Sequence, residues 1–182
     1  CFKKDILNLT YLCNFFGLHE VADYWEQVVK LNEWQQERIY KIVVEKLFGN
    51  LASKKIAILG FAFKANTNDT RESPAISICT NLLYEGSFLK INDPKVNPSS
   101  IENIFKDIEE KFKNYEFISN IYDCVEDADG IIILTDWEEY KKINWEKVSN
   151  KMRTPSWVFD TRGVVNSEDL KKYGLNVWTL GY

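Results

Sequence analysis

Apolar positions recur at helical spacing along the first part of the chain and in short unbroken runs along the rest, and the texture changes near Lys54. Phe2, Ile6, Leu9, Cys13 and Phe16 return every three or four residues up to Gly17, which predicts an amphipathic helix stopped by a glycine cap. Val21, Trp25, Val28, Leu31, Ile39, Ile42, Val43 and Leu47 continue the period and predict a second helix of about seven turns, ending near Gly49-Asn50. So long a helix, with Trp25 and Trp34 along it, needs a surface to lie against. A neighbouring domain, a second subunit and the core of its own domain all answer that need.

Beyond Lys54 the predicted strands are Lys55 to Gly60, Phe88 to Asn92, Tyr115 to Ile118, Gly130 to Leu134, Trp157 to Phe159 and Asn176 to Thr179. The first and fourth are wholly apolar beyond Lys55, the texture of strands covered on both faces. Between them, Ser73-Pro74 predicts an N-cap with proline at the first helical position, for a helix running to Tyr84 and stopped at Gly86. Ser99 to Glu102 has capping-box spacing and opens a helix through Ile104, Phe105, Ile108 and Phe112; Asp123 to Glu126 repeats that spacing, and Ser167 to Tyr173 reads as a short helix. The alternation predicts an α/β fold, with long helices followed by an open, mostly parallel sheet that carries helices on both faces.

Composition narrows the function. With 23 basic and 27 acidic residues the net charge is -4, which implies no cationic surface of the kind that nucleic acid or anionic lipid would favour. Cys1, Cys13, Cys79 and Cys124 form no C-x-x-C pair and His19 is the single histidine, so no metal site is expected. The apolar runs are too short to span a bilayer and the charged start is not a signal peptide, so the expected setting is the reducing cytoplasm. The chain opens directly in a helical pattern without an initiator methionine, as a fragment lacking an upstream portion would.

Ligands of doubly wound sheets bind at the carboxyl ends of the strands. The loop from Gly60 to Pro74 has the strand-loop-helix setting of a nucleotide fingerprint without its G-x-G-x-x-G glycines, so it is not expected to hold a dinucleotide pyrophosphate in the usual way. It carries Lys64 and Arg71, cations suited to phosphate, beside Asp69 and Glu72. Later loops add Asp93, Thr135-Asp136-Trp137 and Asp160-Thr161-Arg162. Taken alone, these residues fit solvated loops, caps and ion pairs as well as an anion site. Cys1 stands at a helix start, where the dipole favours a thiolate, with Asp5 one turn later. That spacing fits a nucleophile beside a carboxylate, and equally a buried thiol and a helix-start aspartate.

Five segments in order resemble the UDP-glucose 6-dehydrogenase family, within the UDP-glucose/GDP-mannose dehydrogenases. They are the Cys-Phe-x-Lys-Asp start from Cys1 to Asp5, the stretch from Lys55 to Ser73, Asp93-Pro94-Lys95, Thr135-Asp136-Trp137, and Phe159 to Arg162. The resemblance implies a three-part enzyme: an N-terminal NAD-binding domain absent here, a central helical dimerisation segment at residues 1–52, and a Rossmann-like UDP-sugar domain at 53–182. It implies oxidation of UDP-glucose to UDP-glucuronate by two NAD+, with Cys1 forming a thioester that water hydrolyses and Asp5 assisting. Phe63, Lys64 and Arg162 match substrate-contacting positions; Lys4 and Arg71 match the cofactor side. The implied partners are UDP-glucose and a second copy of the chain through the long helix, with a larger homo-oligomer compatible. The fragment alone is expected to be inactive. A UDP-N-acetylhexosamine dehydrogenase and a binding-only UDP-sugar module are the alternative readings.

Overall fold

The apolar run Lys55–Leu59 forms strand β1, with Ile56, Ala57, Ile58 and Leu59 all fully buried. Gly130–Ile133 forms β4, equally buried, and the two pair in parallel at the centre of a six-stranded sheet. β2 (Phe88–Asn92) and β3 (Tyr115–Phe117) extend one side, β5 (Trp157–Asp160) and β6 (Asn176–Thr179) the other. The order is β3-β2-β1-β4-β5-β6 and every pairing is parallel. This is the Rossmann arrangement, whose strand order reverses between β1 and β4. The α/β class and all six strands expected from the sequence are present, in a computed structural model that describes residues 2–181.

α1 (Phe2–Phe15) ends at Gly17 as expected. Gly17 takes φ 74, its N–H donating to the Asn14 carbonyl at 3.0 Å and that of Leu18 to the Cys13 carbonyl at 2.8 Å. α2 (His19–Lys46) closes with the same pattern one residue earlier than Gly49. Exposed Phe48 occupies the left-handed position at φ 69, and the Gly49 N–H donates to the Val44 carbonyl at 2.8 Å. Two compact units divide the chain, one ending at Ile39 and one beginning at Tyr40. Within the first, Lys3 pairs with Glu33 at 3.3 Å, and a groove is lined by Phe2, Val28, Leu31 and Trp34.

α3 (Pro74–Tyr84) starts where Ser73-Pro74 predicted, the Ser73 hydroxyl accepting from the Ala75 N–H. α4 (Pro98–Ile104) differs from expectation at both ends. Asn97, not Ser99, is its cap, because proline at the first position needs no N–H partner and the Asn97 side chain accepts from the Ser99 N–H at 3.0 Å. The helix stops before Phe112 because Phe105 turns inward, fully buried, against the rings of Phe61 and Tyr115 at 5.8 and 5.1 Å. α5 (Ile121–Cys124) is capped by Asn120 rather than Asp123. α6 (Trp145–Ser149), a preceding 3-10 turn at Tyr140–Lys142 and the Asn166 cap of α7 (Ser167–Lys172) complete the second unit.

Candidate functional site

The register sets Leu59 beside Asn92 and Ile133, and Ile133 beside Asp160. The loops that begin at Gly60, Asp93, Leu134 and Thr161 therefore leave the sheet at one level, forming a rim around the point where strand order reverses. Gly60 marks that point. Its φ is +94, and a Cβ there would lie 2.4 Å from the Thr135 Cβ. No side chain fits such a gap, so glycine lets the backbone of the first loop pass against the fourth strand's end.

Two carboxylates build this rim. Asp93, only 4% exposed, accepts five hydrogen bonds. Its Oδ2 takes the N–H groups of Phe61 (2.7 Å) and Ala62 (3.0 Å) and the Trp137 indole N–H (3.3 Å). Its Oδ1 takes the N–H groups of Lys95 and Val96, each at 2.9 Å. Asp160, fully buried, accepts from the N–H groups of Arg162 (2.9 Å) and Val165 (2.8 Å). Both serve the backbone, and the sequence pattern alone did not reveal it.

Hydroxyls tie the loops together. Thr135 donates to the Ala62 carbonyl at 2.6 Å, Thr161 to the Ile133 carbonyl at 2.7 Å, and Ser73 to the Phe61 carbonyl at 2.8 Å. Tyr140, also unanticipated, is buried with its hydroxyl 3.0 Å from both the backbone and side-chain oxygens of Asn92. Burial holds its phenol far above the usual range, so it acts as a neutral donor.

The cations lie outside this frame. Lys64 is exposed, its Nζ 5.3 Å from the ring centroid of half-buried Phe63. Arg162 is exposed, its Nε donates to the Leu134 carbonyl at 2.7 Å, and no carboxylate among the described residues pairs with its guanidinium. Lys95 sits 6.0 Å from the Trp137 ring centroid, a further cation that the Asp-Pro-Lys tripeptide signals. Because Thr135 bonds to Ala62 while its neighbour Leu134 holds Arg162, the structure brings the Phe63-Lys64 loop and the Arg162 loop onto one rim. Arg71 is placed differently, at the outer end of the first loop. Its Nε and Nη2 fork onto Asp69 at 2.9 and 2.7 Å, and this bond, with the Arg71 backbone N–H, lowers the Asp69 carboxyl to about 2.

Of the expected chemical residues, Lys4 and Asp5 stand exposed on α1, in the other unit, paired with each other at 3.5 Å. Cys1 lies outside the described residues. Cys13, Cys79 and Cys124 are buried free thiols. Burial raises Cys79 and Cys124, the latter to about 12, so both stay protonated at neutral pH.

Residues 57–167 match the family described as UDP-glucose/GDP-mannose dehydrogenase family, UDP binding domain. The chain belongs to this family. The matched stretch holds the whole rim, from Gly60 through Asp93 and Trp137 to Arg162. Among relatives, it is 40% identical to UDP-glucose 6-dehydrogenase 1 of Glycine max and 41% identical to the UDP-glucose 6-dehydrogenase of Drosophila melanogaster, over its full length in both comparisons. It spans 41% and 39% of those relatives' lengths, respectively. A UDP-glucose dehydrogenase structure from the archaeon Pyrobaculum islandicum overlays 97% of the chain, and 36% of its own length, with a TM-score of 0.73 at 23% identity. That likeness extends the family assignment to the fold.

A dehydrogenase of this family transfers hydride, so the fit of a dinucleotide to the rim matters. The first loop lacks glycines at the fingerprint positions after Gly60, and the N–H groups that would face a pyrophosphate there, those of Phe61 and Ala62, are already donated to Asp93. The rim does not fit a dinucleotide pyrophosphate, and its exposed cations, Lys64, Lys95 and Arg162, lie outside the filled N–H pair.

Proposed function

We propose that this chain is the UDP-sugar-binding part of a UDP-glucose 6-dehydrogenase, with residues 53–182 holding the substrate and residues 1–52 serving as a central helical segment. The observation that carries this reading is the joining of the Phe63-Lys64 loop to the Arg162 loop through Thr135 and Leu134 at the switch point of the sheet. Phe63 offers its half-buried ring beside Lys64, and Lys64 and Arg162 offer positive charge that no carboxylate among the described residues pairs with. Sequence similarity to enzymes named UDP-glucose 6-dehydrogenase supports UDP-glucose as the ligand.

In this reading the C6 alcohol of UDP-glucose is oxidised to the aldehyde, the Cys1 thiolate adds to it, and a second oxidation gives a thioester. Water then releases UDP-glucuronate, with Asp5 assisting. NAD supplies the two-electron acceptor, and the rim around Gly60 does not bind it. Lys4 and Arg71 are its contacts on this chain, Arg71 being exposed enough to turn from Asp69 to a phosphate. The reduced thiols support a cytoplasmic setting, and no helix among the described residues is long and apolar enough to cross a membrane.

Calorimetry of the chain with UDP-glucose, UDP-N-acetylmannosamine and UDP tests the reading. UDP-glucose and UDP should bind and UDP-N-acetylmannosamine should bind more weakly; absence of binding by all three at millimolar concentration overturns it. NADH formation from UDP-glucose by this chain alone would contradict the expected inactivity. α2 exposes Tyr24, Leu31 and Trp34, and we assign this apolar surface to a second copy of the chain. Sedimentation should show a dimer, and a monomer at high concentration would remove that assignment.

A further inference from the structure

We propose that Asp93 is a resident anion occupying the phosphate nest of the first strand-end loop, and that it thereby determines which phosphates this domain accepts. Phe61 and Ala62 follow a glycine in the left-handed region, and their consecutive N–H groups converge on one oxygen. Paired backbone donors of this kind, at the first strand-loop-helix turn of a parallel sheet, are what such folds offer to phosphate. The start of α3 is close by, since its cap Ser73 donates to the Phe61 carbonyl. Here the oxygen received is a carboxylate from the end of the neighbouring strand β2.

The carboxylate is locked in place. Trp137 donates a third bond to the same oxygen, and the second oxygen is held by the Lys95 and Val96 N–H groups. A pyrophosphate entering the nest would meet a like charge and would have to take the Phe61 and Ala62 N–H groups from a carboxylate that three further bonds hold in place. A ligand phosphate is therefore displaced outward, to the side-chain cations Lys64, Lys95 and Arg162, which the protein leaves exposed. Asp93 acts as a positioning and specificity-determining residue: it shapes the first and third loops, touches no substrate, and excludes a dinucleotide. That the accepted ligand is a UDP-sugar rests on the function proposed above; that the nest is filled does not.

The test follows the backbone amides of Phe61, Ala62, Lys95 and Val96 and the Trp137 indole by 1H–15N NMR, in the unmodified chain, D93N and D93A, during titration with inorganic pyrophosphate and separately with UDP. In the unmodified chain pyrophosphate should leave the Phe61 and Ala62 amides unmoved while UDP binds. In D93A the same amides should respond to pyrophosphate with at least about a tenfold gain in affinity, the size expected for a vacated pair of charge-assisted bonds. D93N, which keeps an acceptor but loses the charge, should show faster amide exchange at Phe61 and Ala62 and weaker UDP binding. A purely structural Asp93 would lower stability without creating a pyrophosphate site. Movement of the two amides by pyrophosphate in the unmodified chain overturns the proposal even if neither variant folds, as does a folded D93A indifferent to pyrophosphate. Failure of UDP to bind the unmodified chain removes the UDP-sugar reading, while the pyrophosphate response of D93A still decides whether Asp93 fills the nest.

Discussion

Asp93 and Asp160 stand at the ends of β2 and β5 with their oxygens directed at backbone N–H groups, whereas Lys64 and Arg162, on the same rim, are exposed and lack a carboxylate partner among the described residues. Opposite charges on one rim thus have opposite tasks. The carboxylates hold the loops in shape, because an anion can satisfy several buried N–H donors at once. The cations remain free for a ligand, because the aspartates that could have neutralised them are engaged inward. A rim built in this way has a stable half and a receptive half, and mutations should separate the two.

The largest expected effect lies at the stable half. Gly60→Val should destabilise the fold by about 3 kcal/mol or more, since it combines a left-handed backbone position with a side chain that has no room. Gly163, at φ +66 with nothing within 4 Å of its would-be Cβ, provides the control. Gly163→Ala should cost about 1 kcal/mol, the backbone contribution alone. Urea midpoints of the two variants measure the difference; equal losses would mean that the close approach to Thr135 contributes nothing. Asp160→Ala should follow, at about 2–4 kcal/mol, because it leaves the Arg162 and Val165 N–H groups without their acceptor. An unchanged midpoint would show that water replaces the carboxylate without loss.

At the receptive half the order reverses. Lys64→Ala and Arg162→Ala should each stay within about 1 kcal/mol of the parent in stability, as exposed positions usually do. Each should nonetheless weaken UDP binding by about tenfold, the worth of a charge-assisted contact. If calorimetry finds either variant binding like the parent, that cation is a solvated surface residue and the receptive half shrinks to the other.

The division between frame and cations was only partly legible in the sequence. β1 and β4 could be read because burial on both faces leaves an unbroken apolar run, and the rule that ligands meet strand ends placed Lys64 and Arg162 near one another. Asp93 looked like any strand-end aspartate, since its partners Phe61, Ala62 and Trp137 are distant in the chain and only the parallel register brings them together. Helix starts were misread in a consistent way. Asn97 and Asn120 are the caps, whereas capping-box spacing pointed to Ser99 and Asp123 two and three residues later; α7 does start at Ser167, capped by Asn166. Asparagine offers the same side-chain oxygen from an extended backbone without needing a glutamate three residues on. The Tyr140 turn and α6 escaped because their short, mixed sequence lacks a period long enough to register.

Arg71 belongs to neither half, and its pairing gives the smallest and most specific prediction. The folded-state pKa of Asp69 is lowered from 3.8 to about 2, chiefly by the Arg71 side chain and then by the Arg71 backbone N–H. The stability contributed by a lowered carboxyl is present above the unfolded value and lost as pH falls through the folded one, so the Asp69–Arg71 fork should weaken between about pH 4 and 2 and be indifferent to pH near neutrality. In Arg71→Ala the carboxyl should return toward 3.8 without reaching it, because the backbone N–H remains. A carboxyl 13C titration reads both values, and a midpoint still near 2 in the variant would remove the guanidinium as the cause. The same resonance can test the cofactor contact assigned to Arg71. If a dinucleotide phosphate draws the guanidinium away, the Asp69 midpoint must rise when NAD binds, whereas a fork that persists would keep it low and leave Arg71 as a brace for the outer end of its loop.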